Sequence, residues 1–204
     1  MMPPERNALA RELAGNAAAA ALFVLFLFND AEAFRMTGSA VYVLVALNMG
    51  ICVMLFLVRE RPVAVSALAS DWLIAFSAAF LGLLLRPAAP MSEAAGAALL
   101  AAGTAVNIAS VLFLNRSFGL VPAERSIKTG GLYRVVRHPM YASGILTIVG
   151  YLLANASLMN AAIVVTNIAL LVVRIVREER FLCANERYRQ YAARTRWKLL
   201  PFVY

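Results

Sequence analysis

A chain of 204 residues with 62% hydrophobic and only 15% charged residues departs from the roughly 45–50% apolar and about 25% charged composition of soluble domains. One core of this size cannot hide such an excess, and disordered segments are poor in apolar residues. A water-soluble enzyme and a disordered chain are therefore excluded, and a polytopic membrane protein is expected.

Six apolar stretches follow one another, at residues 9–28, 39–58, 63–85, 94–114, 140–154 and 157–173. The middle ones reach the approximately 20 residues that cross a hydrocarbon core as helix. The last two are shorter. They are joined by Asn155-Ala156-Ser157, which predicts a tight helical hairpin with Ser157 as the N-cap of the second arm. The expected fold is an all-α bundle of about six spans. The first stretch also admits a second reading. Arg6, Arg11, the run from Ala17 to Phe28 and Ala31-Glu32-Ala33 stand in the order of a secretory signal with its cleavage site.

With six spans, one side of the membrane collects every basic residue except Arg35 and Arg86. Both termini, the segment before residue 140 and the C-terminal tail are thus expected on the cytoplasmic side. Topology and attraction to anionic lipid headgroups account for the net charge of +8, so no nucleic-acid partner is expected. Cys52 and Cys183 have no ligand spacing, and neither a disulfide nor a metal site is predicted.

Chemistry-bearing residues are unevenly spread, which divides the chain into a transmembrane scaffold over 1–115 and a binding and catalytic region over 116–204. In the scaffold, Asn48 and Asn107 fall within spans, where hydrogen bonding between helices is their expected use. From Arg116 onward the composition changes. Gly130-Gly131 permits a bend, and Tyr133, Arg137, His138, Pro139 and Tyr141 follow it. Pro139 keeps His138, the single histidine, out of helical geometry and opens the next helix. Free amides at that helix start, beside Arg137 and His138, are expected to receive a carboxylate or phosphate. The plainer reading is that these side chains anchor a helix at headgroup level.

A second cluster closes the hairpin. Arg174 and Glu178 are four apart on one helix face with Glu179 alongside, either a solvated ion pair or a functional site at a membrane edge. Beyond it, Phe181, Leu182, Ala184, Tyr188, Tyr191 and Ala192 recur at helical spacing among arginines, an amphipathic helix expected to lie on the cytoplasmic face. A hairpin returns to its starting side, so the cluster before it and the cluster after it should form one site.

At these residues the chain resembles the isoprenylcysteine carboxyl methyltransferase family, which is related to the membrane phospholipid N-methyltransferases. The family pattern G-x-Y-x-x-x-R-H-P-x-Y-x-G, a hydrophobic hairpin, R-x-x-x-E-E and a Tyr-rich tail is met by Gly131, Tyr133, Arg137, His138, Pro139 and Tyr141, by Arg174, Glu178 and Glu179, and by Tyr188 and Tyr191. Ser143 stands where the pattern has glycine, and Gly144 follows it.

The resemblance implies S-adenosyl-L-methionine as cofactor, held by Tyr133, Arg137, His138, Pro139, Tyr141, Glu179 and Tyr188. Arg174 and Glu178 would act on a lipophilic acceptor entering from the bilayer. For a carboxylate acceptor, Arg174 would orient the nucleophile and Glu178 would fix that arginine. For an amine acceptor a base is needed, and Glu178 or Glu179 is the candidate. A phospholipid or other lipophilic amine or thiol is thus an alternative acceptor, an NADPH-dependent membrane reductase an alternative enzyme, and a non-enzymatic scaffold an alternative to both. Oligomeric state is left open by the sequence.

Overall fold

The computed structural model describes residues 4–204, and side chains from Asn16 onward apart from Ala18. Arg6 and Arg11, which entered the charge count, lie outside the described side chains. The six apolar stretches form α1 (Pro4–Thr37), α2 (Ala40–Val58), α3 (Ala69–Phe80), α4 (Glu93–Leu114), α5 (Pro139–Ala154) and α6 (Leu158–Leu182), followed by the short α7 (Glu186–Arg194). The chain is an all-α membrane bundle. Among the described residues α2, α4 and α6 are long and apolar enough to cross a membrane, whereas α5 and α3, with the tight turn Leu81–Leu84 that extends it, are shorter. Ala31-Glu32-Ala33 lies inside the continuous helix α1.

Capping fixes several helix starts. Ser92 Oγ accepts from the amide of Ala95 at 3.4 Å and Ser157 Oγ from that of Asn160 at 3.1 Å, so α4 and α6 begin where a side chain replaces a missing backbone partner. Asn185 does the same for α7, accepting from Arg187 at 2.8 Å. α7 is therefore shorter than the sequence periodicity suggests, and Phe181 and Leu182 belong to α6.

Small residues decide which helices pair. A Cβ on Gly103 would stand 2.7 Å from the Thr147 amide nitrogen, and one on Gly150 would stand 2.5 Å from that of Leu100. Glycine at both positions lets the α4 and α5 backbones approach closely. Ser143, where the motif has glycine, is fully buried and accepts from Asn107 Nδ2 at 2.9 Å, which pins α5 to α4. Asn107 thus makes the expected link between helices.

The hairpin departs from expectation. Its turn is tight, with the Asn160 amide donating to the carbonyls of Asn155 (2.7 Å) and Arg86 (2.8 Å). Its arms, however, part. α5 follows its small-residue face onto α4, while α6 leans on α3, where Asn167 donates to the Ala78 carbonyl at 2.8 Å and Arg177 meets Asp71 at 2.8 Å. A cavity opens between the arms, bridged at one end by Tyr141 of α5, which meets Arg174 and Glu178 of α6.

The turns α1–α2, α3–α4 and α5–α6 gather at one end of the bundle. At the other, the segments after α2, α4 and α6 come together around two short strands, β1 (Ala64–Val65) and β2 (Ala123–Glu124), antiparallel with Ala64 opposite Glu124. Phe23, Phe56 and Phe118 pack edge to face or tilted, with ring centroids 5.0 to 6.5 Å apart, and join α1, α2 and the segment after α4.

Candidate active site

The loop between α4 and α5 is built from both sides. Glu60, just after α2, accepts from Ser117 Oγ at 2.6 Å, from the Ser126 amide at 2.8 Å and from Ser126 Oγ at 3.0 Å. Partial burial opposes its ionisation, yet these hydrogen bonds and the charge of Lys128 hold the carboxyl below the usual carboxylate range. Farther on, Gly131 takes φ +55°, and a side chain there would run into the ring of Phe113. That bend turns Tyr133 inward, where it is buried.

The tail fixes the next residues. Val136 bridges Trp197 in parallel, and the amides of Arg137 and His138 donate to the carbonyls of Trp197 (2.9 Å) and Lys198 (2.8 Å). The amides of Tyr141 and Ala142 both donate to the carbonyl of His138, at 3.1 Å. The expectation that free amides at the start of α5 receive an anion is therefore corrected. Those donors are largely committed, and side chains face the site instead.

Glu179 organises the centre. Its Oε2 lies 3.0 Å from Arg137 Nη2, and its Oε1 lies 2.8 Å from His138 Nε2 and accepts the Tyr188 hydroxyl at 2.7 Å. Arg137 also donates through Nη1 to the Ala192 carbonyl at 3.2 Å, while its Nε is buried and unpartnered. The His138 ring stacks on Tyr141, centroids 5.3 Å apart and 9° from parallel. Tyr191 donates to the Tyr133 carbonyl at 2.7 Å. Burial, with neighbouring charge, pushes the hydroxyls of Tyr133, Tyr188 and Tyr191 above the ordinary tyrosine range, so all three remain donors at neutral pH.

Glu178 faces a different way. It accepts the Tyr141 hydroxyl, and among the described residues no cation pairs with it. The direct link from Arg174 to Glu178 expected from their spacing is not made. Arg174 instead donates to the Leu120 carbonyl and lies over the Tyr141 ring, 4.8 Å from its centroid. It is 4% exposed, and its Nε is unpartnered. The loop after α4 brings the Leu120 carbonyl to Arg174, and this contact stands where the ion pair was expected.

Two spaces meet here. A pocket of about 770 Å³, open mouth included, is lined by Tyr133, Arg137, His138, Tyr141, Glu178 and Tyr188. Ile127, Lys128, Met140 and Tyr191 also stand in its wall, together with parts of the loop 117–126; sequence reasoning gave Tyr191 only a motif position and passed over the other three. A second cavity of about 1790 Å³, its mouth included, runs up between the hairpin arms and has Arg174 in its wall. Met140 and Tyr141 belong to both. Of the residues singled out in sequence, Glu179 sits behind the pocket as a brace, and Pro139 is buried as the first residue of α5. Asn48 departs from its expected use, since its Oδ1 is buried without a partner and borders the second cavity.

Residues 91–190 match the phospholipid methyltransferase family model. The match runs from the turn before α4 into α7 and takes in every residue that lines the pocket apart from Tyr191. It supports a membrane methyltransferase. No curated protein matches the chain.

The pocket suits S-adenosylmethionine on its own chemistry. The unpartnered Nε of buried Arg137 answers a carboxylate, Glu178 answers a cation, and Tyr133, Tyr188 and Tyr191 offer ring faces to an adenosine, with the Tyr133 hydroxyl as a donor.

Proposed function

We propose that the protein is an integral-membrane, S-adenosylmethionine-dependent methyltransferase acting on a lipophilic acceptor, with a carboxylate as the methylated group. When bound, the cofactor supplies a methyl on a sulfonium, whose S–C bond breaks with the electron pair going to sulfur as the acceptor oxygen bonds the carbon. Such an in-line displacement asks for alignment more than for proton transfer.

In this reading Arg137 and His138, braced by Glu179, hold the cofactor carboxylate, and Glu178 faces its positive end. Tyr133 and Tyr188 line the adenosyl side, and Pro139 sets the angle of α5. Arg174 orients the acceptor from the second cavity. The observation that carries the proposal is Tyr141. Its hydroxyl bonds Glu178 in the polar pocket while its ring lies under Arg174 in the apolar cavity, so one side chain separates a charged donor from a lipid acceptor.

Arg174 favours an anionic nucleophile over an ammonium, and Glu179 is too fully engaged with Arg137, His138 and Tyr188 to serve as a base. The family match favours the second reading, a phospholipid amine. The basic loops share the pocket's end of the bundle, which supports a site facing the cytoplasm.

Titration of the purified protein with S-adenosylmethionine and, separately, NADPH tests the cofactor. Stabilisation by the first alone is expected, and its loss in His138→Ala and in Glu178→Ala with the fold retained. Binding of neither ligand overturns the proposal. Methyl-labelled cofactor with extracted lipids then gives an alkali-labile ester for a carboxylate and an alkali-stable product for an amine.

A further inference from the structure

The second cavity does not end in hydrocarbon. Tyr141 and Tyr151 both line it, ten residues apart on α5, which at about 1.5 Å per residue makes it roughly 15 Å long. At the end away from the pocket its wall is polar, with Asp30, Tyr42, Arg86 and Tyr151. Two hydrogen-bond acceptors on this wall are buried and unpartnered. One is Oδ1 of Asn48, a residue 4% exposed, and the other is Oδ2 of Asp30. A buried acceptor without a donor is a costly feature that native structures seldom keep without a use. Here two of them line one elongated space, and the guanidinium of Arg174 stands at its other end.

We infer that the cavity takes an acceptor polar at both ends: an anionic group beside Arg174, an unbranched apolar chain, and a distal hydrogen-bond donor received by Asp30 and Asn48. The inference rests on the methyltransferase reading for what happens at Arg174 and is independent of it at the far end. A ligand with only an apolar tail leaves both acceptors unpaired. One ending in a hydroxyl supplies a proton to one of them, and one ending in a primary amide to both, and the difference from a purely apolar tail is the site's selectivity.

ω-Hydroxylauric acid and lauric acid are the probes, since they differ by one distal hydroxyl. Binding of each to the full-length protein in detergent, saturated with S-adenosylmethionine, is measured by thermal shift and calorimetry. The hydroxy acid is expected to bind about tenfold tighter. In Asp30→Leu and Asn48→Leu that preference falls toward unity. Equal binding of the two acids by the wild-type protein, or no binding of either, overturns the inference without any variant. A preference for the hydroxy acid that persists undiminished in both variants overturns it as well. Ester formation is scored separately. A hydroxy-acid preference without methyl transfer sinks the methyltransferase reading and leaves the distal site standing.

Discussion

The polar groups at the pocket end interlock around one carboxylate, whereas those along the interior cavity share no common centre. Around Glu179, a guanidinium, an imidazole and a phenol converge on a single carboxylate, and the backbone beneath is clamped by the tail. In the cavity, Asn48, Asp30 and Arg174 each keep an unpartnered atom. One region is preorganised, its geometry complete before a ligand arrives. The other leaves recognition to be finished by what enters it. A transferase needs both, because the donor must be held rigidly while the acceptor has to come and go.

Breaking the interlocked end should have the largest effect. Glu179→Ala leaves Arg137, His138 and Tyr188 buried without their shared acceptor, and loss of such a centre costs about 3–5 kcal/mol. A markedly lower melting temperature and loss of stabilisation by S-adenosylmethionine are expected in a thermal scan. A wild-type response would mean that the network is not preorganising anything.

The boundary between the regions should be gentler to disturb. Tyr141→Phe keeps the ring between His138 and Arg174 and removes only the hydroxyl on Glu178. Affinity for S-adenosylmethionine should fall by about tenfold, the worth of one hydrogen bond to a charged group, with little change in melting temperature. Calorimetry decides it, and undiminished affinity would detach Tyr141 from the pocket.

Smallest of all is the effect expected at Glu60, which clasps the loop between α4 and α5. Because the folded protein holds the Glu60 carboxyl below its usual range, its contribution is complete above the carboxylate range of an unfolded chain. That contribution fades as pH falls through the depressed folded value. Glu60→Gln should lower the melting temperature at neutral pH and converge on wild type under acid. A constant gap at every pH would assign the effect to shape, not charge.

The sequence conveyed the bundle and part of the pocket wall for a physical reason. In an apolar chain, charged residues are expensive to place, so His138, Glu178 and Glu179 stand out, and a hairpin must return to the side it left. What stayed hidden depends on groups that every residue carries. The Leu120 carbonyl that takes Arg174, and the pairing of Trp197 and Lys198 with Arg137 and His138, are backbone contacts between distant segments. No periodicity announces them. Glu60 went unremarked because its partners, Ser117 and Ser126, lie in a different connection. The cavity was hidden because it follows from which helix α5 prefers, and that is settled by the fit of Gly103 and Gly150 rather than by hydrophobic pattern.

The clamp formed by Trp197 and Lys198 has a consequence for how the protein is made. These residues follow α7 in the chain and so leave the ribosome after the six apolar helices. The nascent chain can therefore settle into the lipid while the backbone under Arg137 and His138 is still unclamped, and the pocket takes its final shape only when the segment after α7 has followed.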